Sequence, residues 1–294
     1  MENTRTDRSY TPVPVGGDLL ISGLVDFDLS RTFDCGQCFR FEVTAQGSVQ
    51  RAAGVAFGRL LELCQDERGL LIKNCSLSDF YSVWERYLAL DADYSSINGA
   101  LSDPRDPVMC AAVARSRGIR ILRQDGWETL CSFIISQNNN IPRIKKIIAS
   151  LCEHFGEPFE ACGEVYYSFP SAGRLAPLSV DDLAPLRAGF RAAYLLDAAK
   201  KVSSGEVDLR SLEGLLTPEA SDRLCTIRGV GPKVAACSLL FGFDRGDSFP
   251  VDVWVKRVLA KYYPDGFDYH SLGKNAGIAQ QYLFYYERYI QSRS

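Results

Sequence analysis

The chain has 294 residues, of which 46% are hydrophobic and 23% are charged, so it can bury a large core and is close to an average soluble protein in composition. Its formal net charge of −3 argues against a protein coated with positive charge but leaves room for one basic face. The N-terminal segment lacks an apolar signal region, and the apolar run over 234–243 is too short to span a membrane. We therefore expect an intracellular globular protein that has no membrane partner.

Ten cysteines in such a chain are most simply reduced thiols. Only Cys35 and Cys38 form a C-x-x-C pair, and no cysteine follows Cys237. The histidines are limited to His154 and His270. No second pair or histidine cluster completes a zinc site, and no four-cysteine iron-sulfur loop can be assembled near the C-terminus. No metal and no cofactor are expected.

The first part of the chain is expected to be a flexible arm over residues 1–16, because this segment contains two prolines. From about residue 19 to 74, turn signals alternate with the short apolar segments LLIS, CFRFEV, VQRAAGV, GRLLELC and LLIK. This alternation predicts an antiparallel sheet, and we assign 17–115 to a β domain with flanking helices. Apolar residues at helical spacing then predict a helical domain over 116–294. The predicted fold class is α+β.

A helix, a glycine turn and a second helix are predicted in the last third of the chain. Thr217 is expected to cap the first helix, with Pro218 at its first position, and Pro232 opens the second. The turn between them consists of Gly229, Val230 and Gly231. Backbone N–H groups at a helix start, together with the helix dipole, favour an anion, so this turn could hold a phosphate. A plain helix turn that needs glycine for a positive φ is the alternative.

Two charged residues near this unit are candidates for chemistry. Lys233 lies in the first turn of the second helix, where the helix dipole and partial burial both disfavour its charged form. A neutral amine is a nucleophile, although an isolated lysine can equally extend into water. Asp252 precedes the helical segment VWVKRVLAKYY and could be no more than its N-cap. Lys233 and Asp252 together indicate a catalytic site more specifically than either residue does alone.

Several segments in fixed order resemble the helix-hairpin-helix (HhH-GPD) DNA glycosylases, and within them the 8-oxoguanine DNA glycosylases that also have β-lyase activity. These segments are DCGQCFRF, SQNNNIPRI, GFRAAYL, IRGVGPKVAACSLL, PVDVW and GIAQQYLF. The resemblance implies a TATA-binding-protein-like antiparallel sheet domain followed by an all-α helix-hairpin-helix domain. It also implies a monomer that needs no cofactor, excises 8-oxoguanine from double-stranded DNA, preferably opposite cytosine, and cleaves the strand in base excision repair.

The resemblance assigns roles to the two charged residues and to a base pocket. Lys233 would attack the sugar C1′ and form a Schiff base, while Asp252 would stabilise the positive charge that develops there. The base must first leave the stack, and Cys237 and Phe284 would then enclose it. Gln280 would hydrogen-bond to its Watson-Crick edge. Considered alone, each of these pocket residues is also explained by core packing.

Gly36 matches the family glycine whose backbone carbonyl meets N7 of the base. Guanine has an acceptor at N7, whereas the oxidised base carries an N7–H that can donate to a carbonyl. One proton could therefore supply the discrimination. A glycine required by a turn between strands is the alternative.

Asn138, Arg143 and Arg191 match family positions that contact the cytosine left without its partner, and Phe190 matches a wedge between bases. Guanidinium donors suit the acceptors on the cytosine edge. The asparagine run could instead break one helix and cap the next, and Arg143 could simply be solvated. The chain has Trp254 where eukaryotic members carry a histidine near the phosphates of the lesion, and Phe190 where they carry a tyrosine. Phosphate contacts and the strictness of opposite-base recognition are therefore open.

Two other hypotheses remain at this point. An enzyme of the same superfamily that acts on an oxidised pyrimidine or an alkylated purine is disfavoured by the missing cysteine cluster and by the segment GIAQQYLF. A non-catalytic DNA-binding module is disfavoured by the presence of both Lys233 and Asp252. The lack of a nuclear signal rich in lysine and arginine favours a prokaryotic cytoplasm.

Overall fold

The computed structural model describes the backbone of residues 9–290 and the side chains as far as residue 288. Its strands are β1 (Thr11–Val15), β2 (Asp18–Ser22), β3 (Phe41–Gln46), β4 (Val49–Ala56), β5 (Arg59–Asp66), β6 (Gly69–Ile72), β7 (Pro158–Ala161) and β8 (Glu164–Tyr167). Its α-helices are α1 (Leu29–Phe33), α2 (Leu77–Asp79), α3 (Glu85–Tyr87), α4 (Tyr94–Leu101), α5 (Pro107–Ser116), α6 (Gly126–Ser136), α7 (Ile141–Phe155), α8 (Ala172–Leu175), α9 (Arg191–Ser203), α10 (Thr217–Cys225), α11 (Pro232–Gly242), α12 (Val253–Tyr262) and α13 (Ala276–Ile290). A π-helical turn joins α2 to α3, and short 3-10 turns cover Ala184–Leu186, Ser211–Gly214 and Tyr269–Asn275. Over the described range, no helix has both the length and the apolar character needed to cross a bilayer.

The first six strands form one antiparallel sheet in the order β1-β2-β6-β5-β4-β3. The expectation of a flexible arm over 1–16 is wrong for residues 11–15, which pair with β2 as an edge strand. Alternate residues of a strand point their N–H groups to the same side, so Pro12 and Pro14 remove donors from one side only and leave the others for β2. Residues 1–8 lie outside the described part of the chain.

The buried face of the sheet follows the period-two alternation of its strands. Leu19 and Ile21 of β2 are fully buried, as are Leu70 and Ile72 of β6. Helix α1 and the helical segment from α2 to α3 contribute to the same core, which includes Trp84. The sheet is therefore a half-covered layer with its own hydrophobic core.

The second and larger core lies among the helices, where α6 packs on α11 and α5 packs on α13. Buried residues of α4 and α5 belong to this helical core, although both helices precede the boundary predicted near Arg115. The helical layer thus begins by residue 94, because the apolar sides of these helices are buried against helices, although Leu122 still belongs to the core of the sheet. The helical part also contains the hairpin β7-β8, whose two-residue turn has positive φ at Cys162 (51°) and Gly163 (80°). The α+β fold class is confirmed, and the likeness to the TATA-binding protein stays a prediction.

The segment DCGQCFRF runs between the two cores and contributes to both. Cys35 and Phe39 belong to the helical core, whereas Cys38 and Phe41 belong to the core of the sheet. Burial raises the pKa of the Cys35 thiol to about 12 and that of the Cys38 thiol well above its ordinary value. Both thiols are therefore neutral, and the two cysteines of the C-x-x-C pair serve as apolar core residues.

The side chain of Gln37 holds this segment in place from inside the protein. Its Nε2 donates to the carbonyls of Thr32 at 2.7 Å and Arg120 at 2.8 Å. Its Oε1 accepts from the Leu122 N–H at 2.9 Å. A buried amide whose polar atoms are all bonded can be held in one orientation without a desolvation penalty.

Arg40, at the end of the same segment, connects β3 to α6 and β8. Its Nη1 lies 3.2 Å from the Glu128 Oε2, and its Nη2 donates to the carbonyl of Tyr167. Burial raises the pKa of Glu128 from 4.5 to about 7, although Arg40 opposes the shift. The folded protein therefore holds this carboxyl group less readily in its charged form than the unfolded chain does.

This shift predicts a pH-dependent contribution to stability from Glu128. Because its folded pKa lies above its unfolded one, the contribution is fully present below about pH 4.5 and is lost as pH rises through about 7. Glu128→Gln cannot ionise, so its free energy of unfolding should fall less over this range than that of the parent, by at most about 3 kcal/mol. Urea unfolding at several pH values measures this difference. Glu153→Gln, at an exposed position on α7, is the control, and equal pH profiles for parent and Glu128→Gln would contradict the assignment.

Candidate active site

A cavity of about 410 Å³ lies between α13, the start of α11 and the segment that carries Gly36. Seven residues that the sequence singled out line it: Gly36, Lys233, Cys237, Asp252, Trp254, Gln280 and Phe284. The fold brings these residues together although they come from both halves of the chain. The predicted opposite-strand residues and the hairpin turn lie outside this cavity.

Lys233 is placed at the cavity by the start of α11. The helix begins at Pro232, so the lysine lies in its first turn and is half-buried. Its Nζ lies 5.2 Å from the centroid of the Phe133 ring, which stacks on Phe241 with centroids 5.4 Å apart. The amine of Lys233 thus lies above the ring of Phe133, in the range of a cation-π contact. Sequence reasoning missed Phe133, because within α6 it is one apolar residue among many.

Asp252 is both an N-cap and a cavity residue. Its Oδ1 accepts a hydrogen bond of 2.8 Å from the Val255 N–H at the start of α12, as the cap interpretation predicted. The cap fixes the direction of the carboxylate while the residue lines the cavity. The structural and the chemical interpretations of this aspartate are therefore compatible.

Cys237 follows Lys233 by one turn of α11 and is 4% exposed. Burial raises the pKa of its thiol, Lys233 opposes this shift and Asp252 adds to it. The three side chains are thus within electrostatic range of one another. A neutral, polarisable thiol offers an apolar surface suited to the flat face of a ring.

Gln280 presents an unused acceptor inside the protein. The side chain is 4% exposed, and no described residue donates a hydrogen bond to its Oε1. A buried polar atom without a partner costs free energy, and such atoms in native proteins call for an explanation. One turn later on α13, Phe284 adds a ring to the same cavity. The pair therefore offers a donor ligand both a polar contact and an apolar face.

Gly36 has a φ of 83°, which favours glycine. A Cβ at this position would lie 3.5 Å from Arg288 Nη1, 3.8 Å from Ile141 Cδ1 and 4.0 Å from Phe284 Cζ. A side chain here would therefore occupy the space of the cavity. Arg288 and Ile141 also line it, and the sequence carried no signal that set them apart.

Trp254 lies at the cavity, and its ring is 4.7 Å from the guanidinium carbon of Arg257. Arg257 is exposed on α12. Exposed cations beside the cavity are the side chains from which contacts to a polyanion are expected. Arg257 is a candidate of this kind that sequence reasoning missed.

The first helix of the hairpin begins slightly earlier than predicted. Thr217 is its first residue rather than its cap, and Leu216 occupies the cap position. The Thr217 Oγ1 donates to Asp247 at 2.8 Å, while Glu219 accepts from the Leu216 N–H at 3.1 Å. The threonine hydroxyl thus has a partner outside the helix and does not cap it.

The glycine turn is anchored on α9. Gly229 has a φ of 80°, and a Cβ on it would lie 2.2 Å from the ring of Tyr194. Next to it, the Arg228 N–H donates to the Asp197 Oδ2 at 2.7 Å. This close approach of backbone to ring explains why glycine is needed at this position.

The backbone N–H of Val230 is not available for the phosphate contact that the sequence predicted. Its side chain is buried, and its N–H already donates to the carbonyl of Ile227 at 3.0 Å. The first hydrogen bond of α11 runs from the Ala235 N–H to the carbonyl of Gly231. The N–H groups of Gly231, Lys233 and Val234 therefore stand before the intrahelical ladder, where an anion can accept from them.

Gly229 and Gly231 should respond differently to substitution by alanine: the first should lose stability and the second should not. Gly229→Ala places a methyl group into the Tyr194 ring and forces alanine to a positive φ, so it should lower the free energy of unfolding by about 1–3 kcal/mol or more. Gly231→Ala is the matched control, because its Cβ meets no atom within 4 Å. Thermal unfolding of the free proteins measures both. An unchanged melting temperature in Gly229→Ala would refute the close packing of this turn.

The three asparagines after α6 have separate tasks. Asn139 Nδ2 donates to the carbonyl of Ile135 at 3.1 Å, and Asn140 caps α7 by accepting from the Arg143 N–H at 3.0 Å. Asn138 is exposed and has a φ of 47°, a left-handed conformation that asparagine tolerates. The cap interpretation is thus right for Asn140, while Asn138 lies at the surface and its role stays a prediction.

Arg191 differs from its predicted state, since its side chain is 3% exposed. Its guanidinium donates to the carbonyl of Gln137 from Nε at 2.8 Å, to that of Asn138 from Nη2 at 2.8 Å and to that of Ala188 from Nη1 at 3.2 Å. The loop before α7 needs these donors because its carbonyls have no helix or strand to bond with. We call this set of bonds the Arg191 clamp. In this structure the arginine positions Asn138 and does not itself present a free fork to DNA.

Arg143 and Phe190 are accessible, as their predicted roles require. Arg143 is exposed, and its Nη2 donates to the carbonyl of Arg187 at 3.2 Å. Phe190 is 50% exposed and lies 4.4 Å from the Arg191 guanidinium carbon, measured to the ring centroid. A half-exposed ring backed by a buried cation suits a wedge, and this role stays a prediction.

The fold and the site together define a helix-hairpin-helix protein of base excision repair. Residues 131–267 match the family described as "HhH-GPD superfamily base excision DNA repair protein", and residues 20–130 match "8-oxoguanine DNA glycosylase, N-terminal domain". The chain belongs to the 8-oxoguanine DNA glycosylases of the HhH-GPD superfamily, which are DNA glycosylases/lyases of base excision repair.

Individual relatives agree with this assignment. A structure of MBOgg1 with a low-affinity DNA ligand is 44% identical with a TM-score of 0.89, and the match covers 96% of this chain and 99% of that one. The Clostridium acetobutylicum 8-oxoguanine glycosylase/lyase, solved with DNA that has cytosine opposite 8-oxoguanine, is 37% identical with a TM-score of 0.88 and the same coverage. The Arabidopsis thaliana N-glycosylase/DNA lyase OGG1 is 33% identical over 81% of this chain, which spans 66% of the length of that protein.

Proposed function

We propose that this protein flips 8-oxoguanine out of duplex DNA, excises it through a covalent lysine intermediate and then cleaves the strand at the abasic site. One observation carries the proposal. Gln280, Lys233 and Asp252 line one cavity, and the buried Oε1 of Gln280 accepts no hydrogen bond from a described residue. The related Clostridium enzyme, solved with DNA in which cytosine faces 8-oxoguanine, supports DNA of this kind as the partner.

The flipped base is read by groups from both cores. Cys237 and Phe284 pack against the two faces of the flipped base. Gln280 hydrogen-bonds to its Watson-Crick edge, where guanine-type bases carry donors for the unused Oε1. The backbone carbonyl of Gly36 accepts from N7–H, which 8-oxoguanine has and guanine lacks. Guanine in the same pose would set two acceptors against each other, and this repulsion provides the discrimination.

Chemistry begins when the bond between C1′ and the base nitrogen breaks and its electron pair leaves with the base. The sugar then carries positive charge, which the carboxylate of Asp252 stabilises. Lys233 Nζ forms a bond to C1′ and gives up a proton to the departing base. The bond between C1′ and O4′ then breaks, O4′ takes a proton from water, and the Schiff base remains. Loss of a proton from C2′ then expels the 3′ phosphate, which cleaves the strand.

The DNA backbone and the opposite strand meet separate groups. The N–H groups of Gly231, Lys233 and Val234, together with Arg257, meet phosphates near the lesion. Asn138 and Arg143 meet the cytosine that has lost its partner. The monomeric state and the prokaryotic cytoplasm stay predictions.

Two substitutions should separate the covalent step from base release. Lys233→Gln should still bind lesion DNA, because the turn and the pocket are unchanged, but should lose borohydride trapping and nearly all strand cleavage. Asp252→Asn should bind as well and slow base release by about 10²-fold or more, the size typical of losing one preorganised electrostatic group. Gel-resolved trapping on 8-oxoguanine and abasic duplexes measures both.

The abasic duplex is the internal control for this pair. Asp252→Asn should still form some Schiff base with a preformed abasic site, whereas Lys233→Gln cannot. A trapped complex of undiminished yield in Lys233→Gln would show that the covalent bond belongs to another residue.

Opposite-base preference should depend on the exposed side chains rather than on the buried arginine. Arg143→Ala and Asn138→Ala should narrow the gap in excision rate between cytosine and adenine opposite the lesion, by a factor that corresponds to about 1–3 kcal/mol. Lys146 is an exposed cation on α7, and Lys146→Ala is the control. It should weaken binding to the cytosine and adenine duplexes equally and leave the ratio of their excision rates unchanged. Single-turnover rates measure the ratio, and an unchanged ratio in both variants would exclude these residues from cytosine recognition.

A further inference from the structure

The peptide of Gly36 is bracketed by two glutamine side chains. The carbonyl of Cys35, the residue before it, accepts from the Gln281 Nε2 at 3.1 Å. The carbonyl of Gln37, the residue after it, accepts from the Gln124 Nε2 at 2.8 Å. The Gly36 carbonyl between them is left for an external donor, since no described residue supplies one.

Glycine makes such a bracket necessary. Without a Cβ, the chain at Gly36 can rotate about φ and ψ more freely than at any other residue type, so its carbonyl could turn away from a ligand. Turning that carbonyl alone rotates the Gly36-Gln37 peptide plane about ψ of Gly36 and φ of Gln37. The two hydrogen bonds hold the peptide planes on either side, so the segment cannot carry the carbonyl away from the cavity without breaking at least one of them. The bracket therefore fixes the two ends between which this peptide plane lies.

Gln281 is the more informative of the two glutamines because of its place on α13. It is 3% exposed and directly follows Gln280, and both glutamines line the cavity. Its hydrogen bond joins α13 to a segment 246 residues earlier in the chain. Helix α13 thus supplies Gln280 for the Watson-Crick edge of the base, and through Gln281 it holds the peptide next to the Gly36 carbonyl, which meets N7.

We propose that Gln281 is a positioning residue for base discrimination, which holds the Cys35-Gly36 peptide so that the Gly36 carbonyl meets N7–H of 8-oxoguanine and repels N7 of guanine. This inference rests on the proposed function. It assigns Gln281 no contact with the DNA, and its effect is transmitted through the backbone. Gln124 does the same from the other side of Gly36.

The test is Gln281→Leu, which keeps the bulk of the side chain and removes the donor. Affinities are measured for duplexes that carry 2′-fluoro-8-oxoguanosine or 2′-fluoroguanosine opposite cytosine, since the 2′-fluoro sugar resists excision. The preference for the oxidised base should fall about tenfold, the effect of one lost hydrogen bond that orients a recognition group. Cleavage of a preformed abasic duplex should stay at the parental rate, because that substrate has no base to read.

Two further variants keep the proposal falsifiable. Gln124→Leu should lower the same preference, and it replaces Gln281→Leu as the test if that variant does not fold. Tyr263→Phe is the matched control, because it loses a hydrogen bond to Asp106 of 2.9 Å at a site away from the cavity and should leave the preference unchanged. Thermal unfolding shows how much stability each variant loses.

Each outcome has one meaning. A parental base preference in a folded Gln281→Leu, or an equal loss of abasic cleavage, overturns the positioning role and leaves the proposed function intact. Failure of the parent protein to excise 8-oxoguanine overturns the proposed function itself. A reduced preference with intact abasic cleavage supports the role, since a loss of stability alone would lower both.

Discussion

The segment from Cys35 to Phe41 is held by two hydrophobic cores at once, and the position of the site depends on this constraint. Cys35 and Phe39 are buried among the helices, while Cys38 and Phe41 are buried against the sheet. Sliding the segment by one residue would expose apolar side chains on both sides and break the three hydrogen bonds of the Gln37 side chain. Gly36 is thereby fixed where this segment reaches the cavity of the helical layer.

The opposite wall of the cavity comes from helices that belong to the larger core. α11 carries the amine and the thiol, α13 carries the amide and the ring, and the cap of α12 carries the carboxylate. Two local features that cost stability occur here: Gln280 has an unbonded buried acceptor, and Asn138 near the site has a left-handed backbone. Such costs are typical of functional sites, where surrounding packing maintains an arrangement that local preferences oppose.

Much of the fold could be predicted from sequence, because alternation of apolar residues and turn residues is a local signal. Strands β2 to β6, the break after α6 and the helix that begins at Pro232 were all predicted in this way. β1 was missed because its prolines indicate a loop unless the strand is known to lie at an edge. The catalytic roles proposed for Lys233 and Asp252 came from resemblance, since each residue also has an ordinary structural explanation. Burial of Arg191 could not be predicted, because it depends on carbonyls of a loop more than fifty residues earlier in the chain.

Under the role proposed for Asn138, the Arg191 clamp has a consequence for the search along DNA. Asn138 has its left-handed conformation in the free protein, so the proposed contact with an unpaired base would need no ordering of the loop. We then expect similar association rates at correct and incorrect sites, with the difference between them in the dissociation rate. Residence time would thus be the quantity that distinguishes a lesion from its surroundings.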